Sequence, residues 1–147
     1  MLIRPLLAAA LIAAVAGPAL AKVRVLEATV PAPPDGAPTA AAYAVIESAD
    51  GQGDVLLGAA SAQARSVSFH QMSMAGDVMR MRALPSLTVP ARGRLVVGPA
   101  TGTHLMIVGL TKVPRRGESL TIRLTFKRAG VLAVPFRVTD PASAGAP

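Results

Sequence analysis

The sequence predicts an all-β fold: an antiparallel sandwich or Greek-key barrel of eight or nine short strands. Three observations carry this. Apolar and polar residues alternate with period two in the clearest segments, above all residues 120–126. Clusters of Gly, Pro, Asp and Ser recur at short intervals between apolar runs. Beyond residue 21 no stretch shows strong helical periodicity. The 147 residues suffice for one small domain.

Each element follows in order. Residues 22–30 open with Val23 and Val25 alternating with Arg24. Residues 31–38 carry four prolines, which cannot donate to a ladder, and read as a loop. Residues 39–48 form a strand around Tyr43, Val45 and Ile46; residues 49–54 turn the chain, and Val55 begins the next strand. Residues 65–74 and 77–83 read as two arms of a hairpin around Ala75-Gly76. Residues 94–97 and 104–110 follow, separated by the glycine-rich segment 98–103. In 120–126, Leu120, Ile122, Leu124 and Phe126 share one face, while Thr121, Arg123 and Thr125 share the other. A turn at 128–130 precedes a second alternating run, Leu132, Val134, Phe136 and Val138.

The two ends differ from this pattern. Arg4, an Ala/Leu/Ile run and the small residues Ala19-Leu20-Ala21 have the layout of a cleaved signal peptide over residues 1–21. The apolar run is too short for a membrane span and ends in Gly17-Pro18, so export without a stable membrane anchor is expected. The folded domain is expected over 22–139, with a flexible Ala/Ser/Gly/Pro tail over 140–147.

Composition removes several classes of function. The chain has no cysteine, which excludes disulfides, thiolate zinc sites, iron–sulfur clusters, a cysteine nucleophile, a lipid-bearing N-terminal cysteine and a blue-copper centre. It has no tryptophan and only four aromatics, Tyr43, Phe69, Phe126 and Phe136, so the core must be aliphatic. Removal of the leader leaves 14 basic and eight acidic residues, a net charge of +6. The basic residues are dispersed and not interleaved with aromatics, which argues against nucleic acid. No base sits at a spacing that would activate a nucleophile, so the chain is not expected to be an enzyme.

The chemistry is concentrated between positions 70 and 106. Both histidines, His70 and His104, and all five methionines after Met1 (Met72, Met74, Met79, Met81 and Met106) lie there. A lone methionine on a strand is ordinarily core filler, and a lone histidine is ordinarily a hydrogen-bonded or surface residue. Their coincidence is what points to a metal. His104 and Met106 are two apart and share a strand face, as do His70, Met72 and Met74. A turn on Ala75-Gly76 sets His70 opposite Met81 and Met72 opposite Met79; a turn on Gly76-Asp77 sets Met72 opposite Met81. The sequence leaves both registers open. Imidazoles with thioethers form a neutral, soft ligand set, which favours Cu(I) over zinc, calcium or magnesium.

These residues resemble the periplasmic copper chaperones of the PCu(A)C type. The resemblance runs from Pro31 to about Val138. It is carried by the segment from Pro33 to Tyr43, by Phe69-His-Gln-Met72, by Gly76-Asp-Val-Met-Arg-Met-Arg82, by Val89-Pro-Ala-Arg-Gly93 and by residues 104–110. The family motif is a histidine, ten residues, a methionine, a spacer and His-x-Met. Here ten residues separate His70 from Met81, and His104-Leu105-Met106 closes the motif.

The resemblance implies a cupredoxin-like β-sandwich. It implies a periplasmic metallochaperone that binds Cu(I) through His70, Met81, His104 and Met106. Met72, Met74 and Met79 would be neighbours of that site, as transient ligands or as apolar shielding. The implied partner is a copper-accepting protein, a cytochrome c oxidase subunit awaiting its Cu(A) centre or another oxidase assembly factor, and the expected state is a monomer. Two rival readings are a copper storage or resistance protein with the same site, and a metal-free immunoglobulin-like binding module. The spacer between Met81 and His104 has 22 residues, one more than the family pattern, and the glycine-rich segment 98–103 is where an insertion costs least. The strand at 26–30 lacks the Trp and Arg often found there. The tail has no histidine or methionine, so the second, Cu(II)-binding site of some relatives is not expected.

Overall fold

The computed structural model describes residues 23–145; the expected signal peptide lies outside the described residues. Ten strands form: β1 Val23–Pro31, β2 Thr39–Ser48, β3 Asp54–Ala60, β4 Ala64–Ala75, β5 Val78–Leu84, β6 Leu87–Val89, β7 Arg94–Val97, β8 Thr103–Leu110, β9 Ser119–Phe126 and β10 Gly130–Thr139. The strand beyond the expected eight or nine is β6. It is three residues long and bracketed by Pro85 and Pro90, so it is too short to show an alternation of its own.

Seven strands close on themselves in the order β4-β8-β2-β1-β10-β9-β3, and β3 returns to β4 through the pair Ala59 and Val67. β5, β6 and β7 hang from this ring on β4, β3 and β2. All pairings are antiparallel except β1 with β10. Closure leaves the ring without a free edge.

The interior is built by alternation. Leu120, Ile122, Leu124 and Phe126 of β9 are all buried, and Phe136 and Val138 of β10 meet them. β2 contributes Ile46 and the small side chains of Ala40, Ala42 and Ala44. Pro135 sits inside β10 opposite Thr121, but the β1 ladder begins only at Arg137. Its missing N–H therefore interrupts no bond to β1.

Two acidic residues tie loops to this frame. Asp54 is buried; its Oδ1 accepts the backbone N–H groups of Val55 and Arg128, and its Oδ2 accepts that of Ala129. Asp50 accepts bonds from the Ser48 hydroxyl, the Gln52 and Gly53 N–H groups and the Arg128 guanidinium. Together they lock the β9–β10 turn to the β2–β3 turn. Beyond β10, Pro141–Gly145 makes a short 3-10 turn, with Asp140 Oδ1 accepting the Ala142 N–H.

Candidate metal centre

The site grows from the β4–β8 ladder. Phe69 pairs with Leu105, and both point into the barrel. One residue further along, His70 pairs with His104, and strand alternation sends both imidazoles to the outer face. Their ring centroids are 5.8 Å apart and the planes are tilted by 33°. His104 is nonetheless only 5% exposed. Burial lowers its pKa, and the neighbouring His70 lowers it further, so the neutral imidazole is favoured.

His70 is oriented by a residue that sequence reasoning missed. Ser68 Oγ lies 3.0 Å from His70 Nε2. The other ring nitrogen, Nδ1, is buried and has no hydrogen-bond partner among the described residues. The available signal was spacing: Ser68 stands two residues before His70 on one strand, hence on the same face. When Nε2 carries the proton, it donates to the serine, and Nδ1 presents an unused lone pair.

Met106 lies two residues beyond His104 on the same face, flanked by Ser68 on β4 and Ala41 on β2. These small neighbours leave its side chain half-buried without crowding. The β4–β5 hairpin turns on Gly76-Asp77, so Met72 faces Met81, Met74 faces Met79, and His70 faces Ala83. Gly76 has φ +63, the conformation that a two-residue hairpin turn demands of its first residue. Of the two registers open to the sequence, the structure adopts the one that places Met81 diagonally from His70. Such diagonal neighbours are about 7–8 Å apart, within reach of a long side chain.

Just past the histidine pair, where the β4–β8 ladder ends, Gly102 receives the Met72 N–H on its carbonyl at 2.7 Å. Its φ is +69, and a Cβ there would come within 2.7 Å of the Met72 carbonyl oxygen, so no other residue fits comfortably. The 98–103 segment is a compact turn, with a 3-10 helix at Pro99–Thr101 held by Thr101 Oγ1 on the Val96 and Gly98 carbonyls.

None of the five methionines belongs to the buried core: Met72, Met74, Met79 and Met81 are exposed, and Met106 is half-buried. Among the described residues, no three His, Cys, Asp or Glu side chains are grouped to hold a metal ion. The donors that strand alternation places on this face beside the paired histidines are the thioethers of Met72, Met81 and Met106, a donor type suited to a soft d10 ion. A separate cleft lined by Asp35, Lys112, Arg115 and Arg116 contains none of these residues.

Fold and face together define a cupredoxin-like β-barrel of the PCuAC type, with a His/Met patch on its outer surface. The chain belongs to the LpqE-like lipoprotein family, whose model matches residues 23–138. The sequence contains no cysteine, the residue to which a lipoprotein's N-terminal lipid is attached. Among solved structures, the copper-bound PCuAC domain from PmoF2 is 25% identical, with a TM-score of 0.70 over 84% of this chain and 97% of that one. The solution structure of Cu(I)-DR1885 from Deinococcus radiodurans is 31% identical, with a TM-score of 0.61 over 83% of this chain and 79% of that one. The apo form of DR1885 is likewise 31% identical, with a TM-score of 0.62 over 95% of each chain. No curated protein matches the sequence.

Proposed function

We propose that the protein is an exported Cu(I) carrier that holds its cargo with His70, Met81, His104 and Met106 and passes it to an acceptor protein. The observation that carries the reading is the His70–His104 pair: two adjacent imidazoles on the outer face, one with a buried Nδ1 that has no partner among the described residues. A buried polar atom left unsatisfied costs stability, and a metal ion is the kind of partner that would repay it. The copper-bound PmoF2 domain and Cu(I)-DR1885 support copper as that metal. The leader sequence supports export to the periplasm, and cytochrome c oxidase awaiting Cu(A) is the acceptor implied by the family resemblance.

The geometry suits carriage rather than catalysis. His104 is buried and anchors the cargo from below, while Met81 is half exposed and forms the lip. Neutral thioethers leave more readily than thiolates, so an acceptor's ligands can replace them one at a time. Imidazoles bind metal only when neutral, so affinity falls as pH drops through their titration. The lowered pKa of His104 keeps that ligand ready to lower pH than an ordinary histidine.

The test is an anaerobic Cu(I) titration against a coloured Cu(I) chelator, beside a His104→Ala/Met106→Ala variant. We expect tight copper binding in the wild type and loss of chelator competition in the variant. Equal competition by both proteins would remove His104 and Met106 from the site. No competition by folded wild type would end the carrier reading.

A further inference from the structure

The hairpin register places three further sulfurs together beside the histidine patch. Met74 of β4 stands directly opposite Met79 of β5, and Met72 is the next residue along β4 on the same face. Opposed side chains on antiparallel strands have Cβ atoms about 4.5–5.5 Å apart. A methionine has three freely rotating side-chain bonds, so the three sulfurs can converge on one point above the sheet. None of the three belongs to the buried core: Met72 is 37% exposed, Met79 59% and Met74 62%. The intervening residues Ser73 and Arg80 form the next cross-strand pair and project from the other face.

From this arrangement we infer that Met72, Met74 and Met79 form a second, all-thioether site for a soft d10 cation, Cu(I) or Ag(I), at the tip of the β4–β5 hairpin. Three neutral sulfurs give the trigonal environment such an ion accepts, and no donor among them suits zinc, calcium or magnesium. The site stands further from the barrel than the histidines and is more open. It leads to them through the Met72–Met81 pair, so an ion captured at the tip has a continuous line of sulfur toward His70. The tip binds independently of the carrier site proposed above. The role of entry point rests on that reading.

Ag(I), which does not change oxidation state in air, serves as the probe. The full chain is labelled with 13C at the methionine methyl groups and titrated with Ag(I). It is compared with a Met74→Leu/Met79→Leu variant and a His70→Ala/His104→Ala variant. Leucine keeps the apolar volume of these exposed positions, so the first variant keeps the fold. In the wild type, the methyl signals of Met74 and Met79 shift in a phase separate from that of Met106. The leucine variant loses that phase and keeps the Met106 phase at an unchanged midpoint. The histidine variant keeps the Met74 and Met79 shifts while the Met106 phase is lost or weakened. Unmoved Met74 and Met79 signals in the wild type would overturn the proposal. So would their loss in the histidine variant with fold retained, since the tip would then not bind by itself. A wild type in which only Met74 and Met79 respond would uphold the tip site and defeat the carrier site, so the two failures are distinct.

Discussion

The barrel interior and the β4–β5 hairpin use apolar side chains in opposite ways. The interior is filled by Val, Leu, Ile, Ala and Phe and holds no methionine, whereas the hairpin displays four methionines to solvent. Branched aliphatic and aromatic side chains lock a core into one arrangement; methionine is flexible and polarisable. A chain that used methionine merely as a hydrophobe would bury it. On the hairpin these thioethers instead face solvent, beside the equally exposed Val78.

The contrast can be broken most directly by truncation. Ile122→Ala or Leu124→Ala, both fully buried, should lower unfolding free energy by about 2–5 kcal/mol in urea titrations. Met74→Ala should change it by less than about 0.5 kcal/mol. A Met74 effect of core size would mean that the hairpin methionines pack against something after all.

A smaller effect separates the loop latch from the metal patch. Burial acts to raise the pKa of Asp50, but the Gln52 N–H, the Arg128 guanidinium, the Ser48 hydroxyl and the Gly53 N–H outweigh it and bring the pKa from 3.8 to about 2. The unfolded chain thus holds the proton more tightly than the folded one, and the latch stabilises the fold above pH 3.8. That contribution fades as pH falls toward about 2. Asp50→Asn should therefore melt below wild type at neutral pH, with the two melting curves converging in acid.

The smallest effect concerns His104. Its folded pKa lies below the ordinary 6.5, first because it is buried and then because of His70. Its neutral form therefore favours the fold above pH 6.5, and protonation erodes stability as pH falls below that value through the lowered pKa. In metal-free protein, His104→Gln should flatten the melting temperature between neutral and mildly acidic pH. An unchanged slope would mean that the burial of His104 does not govern its titration.

Much of the fold was legible because alternation is a local property. β2 matches its expected span, and β9 and β10 show the expected inward residues. β6 escaped because three residues between prolines carry no period. The candidate site was legible as a set of residue types in one segment, since His104 and Met106 must share a face whatever the fold. Ser68 was legible only as a residue on the face of His70; that its hydroxyl meets Nε2 depends on side-chain conformation, which spacing does not set.

The sequence by itself determined the strand faces, the aliphatic core and the confinement of soft donors to residues 70–106, all consequences of period-two geometry and composition. Only the tertiary structure decided which strands become neighbours. β4 and β8 are separated in the chain by three strands, and their pairing alone brings His70 beside His104. It also decided the turn on Gly76-Asp77, since both candidate turns keep the methionines on one face and differ only in which residues are opposed. Local sequence sets the direction a side chain points; long-range pairing and register set what it meets there.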